Sequence, residues 1–571
     1  MKIVLTAINA KFIHSNLAVR YLRAFTKDLD YKCIIKEFSI NDRREKMLEE
    51  IIKEKPDAVG FSCYIWNIDF CRSLARLIKL VDPSIKVFYG GPEVSYDSET
   101  FLNSNVGDCV ICGEGEKTYY DLVSFAIEKE KAVHRGKSSL KRLKDIKGLY
   151  FRENDKIVFT GKREAMDMNE IVFPYDEDDN LDNKIIYYET SRGCPFKCSY
   201  CLSSTTHGVR FLNIDRAKRE LNFFIKRGFK LIKFVDRTFN CDPKFAIEIW
   251  NFIINMDTES TFHFEISADI LTDEEIEVLN RAPKGRIQLE VGVQTTNTKV
   301  LESINRNVEF SKIKDKVLKI QKFHNINQHL DLIAGLPYED FESFKNSFND
   351  VYSIHPEKIQ LGFLKVLKGS SMHDNAEKFG IVYEPYPPYE VLKTNFISYE
   401  KLRILKRVDK MVDKYYNSGK FTNIIKYFLN KFSTPFDFYK ELGDFFYNKG
   451  YLNKNISAVQ YYKVFLEFNS EYLNQDNFKL KDIVKYDYLK FNKKRWVPDF
   501  LYTEKIKDEE RIIKNMIKNG KINIYGDYHI EKFFIDINKF KDENTICERE
   551  EYIVFYGDEM EDTIYMEDIN N

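Results

Sequence analysis

The 571-residue chain has no long apolar run, no excess of charge of either sign and no regular cysteine framework. Each absence excludes something. No uninterrupted apolar stretch approaches the ~20 residues of a membrane-spanning helix. A formal net charge of −1 gives no global pull toward nucleic acid or anionic membrane. The opening run Met1–Ala7 is apolar but short. It leads into Asn9, Lys11 and His14 without a small-residue cleavage site, so a buried strand is expected rather than a signal peptide. Ten unpatterned cysteines imply a reducing cytoplasm. With 43% hydrophobic and 31% charged residues the chain reads as soluble and globular, and its length calls for about three or four domains.

What is present is concentrated in Thr190-Ser191-Arg192-Gly193-Cys194-Pro195-Phe196-Lys197-Cys198-Ser199-Tyr200-Cys201, directly after the apolar run Ile185–Tyr188. Three thiolates on one short loop can converge on a single iron–sulfur cluster. Structural zinc would want a fourth ligand at similar spacing, and the nearest later cysteine is Cys241. The bland reading is three free thiols. Three cysteines with an open fourth corner suit a 4Fe–4S cluster that leaves one iron for a substrate or cofactor. Cys-x3-Cys-x2-Cys with an aromatic before the last cysteine resembles the signature of the radical S-adenosylmethionine (SAM) superfamily. The resemblance implies Cys194, Cys198 and Cys201 as cluster ligands, Tyr200 beside SAM, and cleavage of SAM to a 5′-deoxyadenosyl radical. It also implies a reducing electron donor of flavodoxin or ferredoxin type and, because exposed clusters are oxygen-labile, an anaerobic setting.

Residues 1–130 alternate strand and helix patterns: strands at 2–7, 32–38, 58–63, 86–90 and 106–111, helices at 16–25 (with Ser15 as N-cap), 43–53, 70–81 and 117–128. This rhythm predicts a doubly wound parallel sheet, with ligands beyond the strands' carboxyl ends. The loops there contain His14-Ser15-Asn16, Ser62-Cys63-Tyr64, Gly90-Gly91-Pro92-Glu93 and Gly113-Glu114-Gly115-Glu116. Together, ahead of the cysteine loop, they resemble the cobalamin-binding domain fused to many radical SAM enzymes. That implies a corrinoid contacting Ser15, Ser62, Tyr64, Gly90, Gly91, Glu93, Gly113 and Glu114. The Asp-x-His-x-x-Gly cobalt-ligand motif of many such domains is missing: the corresponding loop is Asn9-Ala10-Lys11-Phe12-Ile13-His14, and His14 is expected as a helix-start polar residue. Cys109 and Cys112, at a strand's end, point to opposite faces and are expected to pack rather than bind metal.

Residues 131–183 form a linker with a hairpin at 149–160 and an acidic connector at 176–179. From 184 to 374 six further βα units predict a partial (βα)6 TIM-like barrel, with reactive groups at the strands' carboxyl ends. Phe234–Phe239, Glu265–Asp269, Val291–Thr296 with Leu301–Arg306, and Asp331–Pro337 resemble, in order and spacing, segments of cobalamin-type and methylthiotransferase-type radical SAM barrels. The resemblance implies Asp236, Glu265, Ser267 and Gln294 as SAM contacts. His207 and Cys241 are expected as bystanders, though His207 could face the substrate.

Residues 375–571 carry mostly helical patterns rich in Lys, Tyr and Phe. A small β-meander (521–524, 528–537, 552–556) and an acidic tail from Asp558 follow, and no metal, nucleophile or phosphate motif is present. Lys493-Lys494-Arg495-Trp496 reads as a solvated surface cluster. The expected function is cobalamin-dependent radical SAM chemistry, methylating an unactivated carbon of an unassigned substrate, without membrane or clear nucleic-acid binding. The alternatives are cobalamin-assisted ring formation or oxidation, methylthiolation of a tRNA base, and a non-catalytic corrinoid or iron–sulfur carrier. Against tRNA chemistry stand the lack of a second cysteine trio and of an RNA-binding barrel.

Overall fold

The computed structural model describes all residues except 135–141, 207, 493–495, 505–506, 523, 525, 558–559 and 568–571. His207, the basic cluster at 493–495 and the start of the acidic stretch at 558 lie outside the described residues. The chain divides into two compact units, Met1–Asp340 with Gly362–Ser398, and Phe341–Leu361 with Tyr399–Asn571.

In the first unit, strands β1 (Lys2–Asn9), β2 (Lys32–Ser39), β3 (Ala58–Ser62), β4 (Lys86–Gly90) and β5 (Cys109–Ile111) pair in parallel. The hairpin β6 (Leu149–Glu153) and β7 (Lys156–Phe159) adds two antiparallel strands, giving the order β2-β1-β3-β4-β5-β6-β7. The inner strands are mainly apolar because both faces are covered. Val4, Val59, Val87 and Val110 pack with Leu74 and Ile78 on one side. Ile3, Leu5, Phe88 and Ile111 pack with Val19, Tyr119 and Val123 on the other. Cys109 belongs to the second core and Cys112 packs on the first, so the two thiols do face apart.

Local details differ from expectation. The N-cap of helix Leu17–Phe25 is Asn16, whose side chain accepts from Val19 N. Ser15 instead donates to Ile185 O at 2.8 Å. The fifth strand begins at Cys109 rather than 106, since the Asp108 carboxylate turns onto Val87 N and the ammonium groups of Lys79 and Lys86. Helices Pro92–Ser95 and Ser98–Ser104 fill the crossover before it.

The barrel strands are β8 (Ile186–Tyr188), β11 (Leu231–Phe234), β12 (Thr261–Ile266), β13 (Ile287–Gln294), β14 (Asn327–Ala334) and β15 (Lys358–Phe363), in sheet order β15-β14-β13-β12-β11-β8. Neighbours from β8 to β14 pair in parallel. Between β8 and β11 a short antiparallel ribbon of β9 (Ser191–Gly193) and β10 (Val209–Phe211) brackets the cysteine loop. Of β15, Gly362 and Phe363 belong to the first unit, where Leu364 N donates to Ala334 O at 2.9 Å. A ribbon of β16 (Val382–Tyr383) and β17 (Val391–Lys393) follows.

The second unit is mainly helical, with an aromatic core that includes Tyr415, Phe421, Phe428 and Phe465. Its meander is β18 (Tyr528–Ile535), β19 (Glu548–Tyr556) and β20 (Met560–Tyr565). Two expectations need correcting. The described residues of 521–524 are not a strand, and residues from Met560 are not a tail. Ile564 packs beside Tyr552 in the core of the sheet, so one well-placed apolar side chain outweighs the surrounding acids. Among the described residues no helix is long and apolar enough to cross a membrane.

Candidate active site

The carboxyl ends of β1, β3, β4 and β5 open on a cavity of about 770 Å3. Ser15, Ser62, Tyr64, Gly90, Gly91, Gly113 and Glu114 line it, as the strand-end rule predicts for seven of the eight candidate corrinoid contacts. Tyr64 and Trp66 line it as a stacked pair, 4.4 Å apart and 8° from parallel. Gly91 sits at φ 116°, where a Cβ would come within 2.4 Å of Cys63 O, so only glycine lets the two loops meet. The eighth candidate, Glu93, is held elsewhere: Tyr389 donates to its carboxylate, and burial raises its pKa against the pull of Tyr389 and Lys368.

The same cavity is lined by Tyr187, Glu189, Ser191, Arg192, Gly193, Leu202, Ser203, Arg210, Val235 and Arg237, from the barrel mouth and the flanks of the cysteine loop. The two halves are joined directly. Ile185 N donates to Ile13 O at 2.7 Å, and His14 Nδ1 lies 2.6 Å from Tyr187 Oη. His14 therefore does not start the helix but ties the loop after β1 to the first barrel strand. Burial, then the charges of Lys11, Lys233 and Lys184, lower its pKa and favour the neutral ring.

Arg192 is the electrostatic centre of this junction. Its guanidinium contacts Glu116 at 2.6 Å, Glu189 at 2.9 Å and Glu114 at 3.4 Å, and lies over the Tyr21 ring. Arg210, opposite Arg192 in the β9–β10 ribbon, pairs with Glu114. Burial alone would raise Glu114, but Arg210 and Arg192 together hold its carboxyl below the usual range. For Glu189 burial prevails over Arg192 and its pKa rises.

On the loop itself all three thiols are free of disulfides. Gly193 permits the entry: at φ 108° a Cβ there would lie 2.1 Å from Gly208 O. Arg306 reaches Cys198 Sγ at 3.8 Å and Gly292 O at 2.6 Å. Burial raises the Cys198 thiol pKa, and Arg306 opposes this by stabilising the thiolate, the form that binds metal. Cys194 Sγ stands 3.5 Å from Thr238 Oγ1. Three free thiols on one turn, with an arginine to balance anionic sulfur, fit an iron–sulfur cluster.

The candidate SAM residues divide. Gln294, at φ 70°, lays its amide against Gly292, beside Arg306. Its buried Oε1 has no hydrogen-bond partner among the described residues, which suits a bound polar ligand. Tyr200 is half-buried near the same arginine and Cys198. Asp236 is fully enclosed and accepts from Thr190 N (3.0 Å), Thr190 Oγ1 (2.6 Å) and Ser191 Oγ (2.6 Å), which fixes the entry to the cysteine loop. Ser267 donates to Asp269 at 2.6 Å, and its backbone exchanges hydrogen bonds with the Asn240 amide. Glu265 is pushed up to about 7, first by burial, then against Arg237 and with Glu290. Sequence reasoning passed over Arg192, Arg210, Glu116, Asn240 and Arg306. Glu116 and Arg306 were inside recognised segments, but their partners were not legible.

Family models agree with this geometry. Residues 3–123 match the B12 binding domain and residues 188–351 the radical SAM superfamily. The chain carries a B12-binding domain and a radical SAM domain. Residues 377–555 match a family described as a protein of unknown function, DUF4080. An uncharacterized methyltransferase of Pyrococcus horikoshii is 27% identical over 309 residues, 52% of this chain and 64% of its own length. The cobalamin-dependent radical SAM methyltransferase TokK of Streptomyces tokunonensis is 23% identical over 367 residues, 60% and 52% of the two chains. The chain thus matches about half to under two thirds of these relatives' lengths. The structure of OxsB, a cobalamin-dependent SAM radical enzyme with aqua-cobalamin and SAM bound, superposes with a TM-score of 0.59 at 15% identity, covering 91% of this chain and 81% of that one. The fold is shared.

Proposed function

We propose that the protein is a cobalamin-dependent radical SAM enzyme that methylates an unactivated carbon of its substrate. One observation carries the reading: the carboxyl edge of the B12-binding sheet and the flanks of the cysteine loop line a single cavity. Relatives bearing methyltransferase names support it. When bound, a 4Fe–4S cluster on Cys194, Cys198 and Cys201 supplies the electron that cleaves SAM, and a corrinoid supplies the methyl-transfer chemistry.

The chain's own residues do the rest. Arg306 balances charge at Cys198, Asp236 fixes the loop through Thr190 and Ser191, and Gln294 offers SAM an unpaired carbonyl oxygen. Arg192 and its three carboxylates tie the two domains together at the cavity wall, so that reacting groups are held in one geometry. The reading includes a low-potential flavodoxin or ferredoxin as donor, an anaerobic cytoplasm as setting, and the domain limits 1–130, 184–374 and 375–571.

The test is anaerobic. Cluster-loaded, reduced protein with hydroxocobalamin is given SAM and lysate fractions, and 5′-deoxyadenosine and methylated product are followed by mass spectrometry. Wild type consumes SAM, while Cys198→Ala loses cluster absorbance and SAM turnover together. Fully loaded wild type that leaves SAM intact with every fraction is a carrier, not an enzyme.

A further inference from the structure

One polar cluster in the barrel takes no part in the site above. His263 on β12, Glu290 on β13 and His329 on β14 sit on three adjacent parallel strands. Glu290 pairs with His329 in register, and Glu265, two residues beyond His263, pairs with Glu290. Side chains two apart share a strand face, so all three project to one side of the sheet, Glu290 and His329 level with Glu265 and His263 one step deeper. One ligand atom from each lies within 4.8 Å of the others. His263 Nε2 is 3.0 Å from Glu290 Oε2, and the imidazole centroids are 5.9 Å apart.

We propose that His263, Glu290 and His329 bind a divalent first-row metal ion of the zinc type. Two imidazoles and a carboxylate are a donor set that zinc takes, leaving a fourth position for water. Ligand bonds of about 2.0–2.2 Å place donors slightly farther apart than the present 3.0 Å contact, so occupancy needs small side-chain movements only. A plain His263–Glu290 ion pair accounts for less. It leaves the buried His263 Nδ1, which has no hydrogen-bond partner among the described residues. A divalent ion held by the three side chains would pin β12, β13 and β14 together.

The proposal is independent of the cysteine loop, and its test keeps the two apart. Full-length protein is treated with a mild chelator and titrated with zinc against a fluorescent indicator. One equivalent is expected to bind in wild type and in a Cys194→Ala/Cys198→Ala/Cys201→Ala variant, to raise the thermal midpoint, and to be lost in His329→Gln. Because buried variants can misfold, zinc-edge X-ray absorption on the cysteine variant, with native barrel ligands, provides a second readout. Imidazole scattering with nitrogen and oxygen neighbours supports the site. No zinc uptake by the cysteine variant, or equal uptake by a folded His329→Gln, overturns it.

Discussion

The two sides of the cavity are built by different means. On the B12-binding side the strand ends contribute backbone and small residues, Gly90, Gly91 and Gly113 with Ser15 and Ser62, beside the stacked Tyr64 and Trp66. On the radical SAM side it includes charged side chains, Arg192 and Arg210 in the ribbon and Glu189 and Arg237 just past the ends of β8 and β11. A backbone wall lets a large ligand approach closely, and its tolerance is set by sterics. A charged wall sets electrostatics, and its stability depends on every member keeping its partner. Loss of glycine space should therefore act mainly on ligand binding, and loss of a charge mainly on folding.

The largest effect should come from Arg192→Met, which strands Glu116 and Glu189 with little solvent to take up their charge. Breaking a buried pair from one side costs about 3–5 kcal/mol, read as a lower denaturant midpoint of the first transition. Gly91→Ala comes next. A Cβ against Cys63 O at positive φ stores about 1–3 kcal/mol of strain. Hydroxocobalamin affinity, read from visible titration, should fall by about tenfold or more, with SAM-site residues untouched.

The pH response of the charged wall has a definite sign. Glu114 is held below its ordinary value of 4.5, so its stabilisation is complete above that pH and is lost as pH falls through the lowered value. Glu114→Gln should flatten the acid limb of the stability curve below about pH 4.5. If that limb is unchanged, Glu114 is not paired in solution. The smallest effect is expected from Tyr187→Phe, which removes the contact to His14 Nδ1 at about 0.5–1.5 kcal/mol.

Much of this was legible in the sequence because it rests on short-range periodicity. Ile3-Val4-Leu5 reads as a strand covered on both faces, and the glycine loops fall where parallel strands end. The cysteine spacing carries its own chemistry. What was not legible depends on distance along the chain. Arg192 meets Glu116 across 76 residues, and Arg210 meets Glu114 across 96. The β9–β10 ribbon is three residues a side, too short for an alternation pattern to register. Ser15 and Asn16 are both good caps, and only the carbonyl of Ile185, supplied by the barrel, decides between them. His263, Glu290 and His329 come from three strands and carry no spacing signature at all.

The central claim is that a corrinoid in the cavity lies beside the cluster, since Gly193, next to Cys194, is part of the cavity wall. Cob(II)alamin and a one-electron-reduced 4Fe–4S cluster are both paramagnetic, so electron paramagnetic resonance on doubly loaded protein tests it directly. The expected spectrum shows each signal broadened or split by the other, and the coupling disappears in Cys198→Ala. Two full-occupancy signals, each identical to that of singly loaded protein, would contradict that placement.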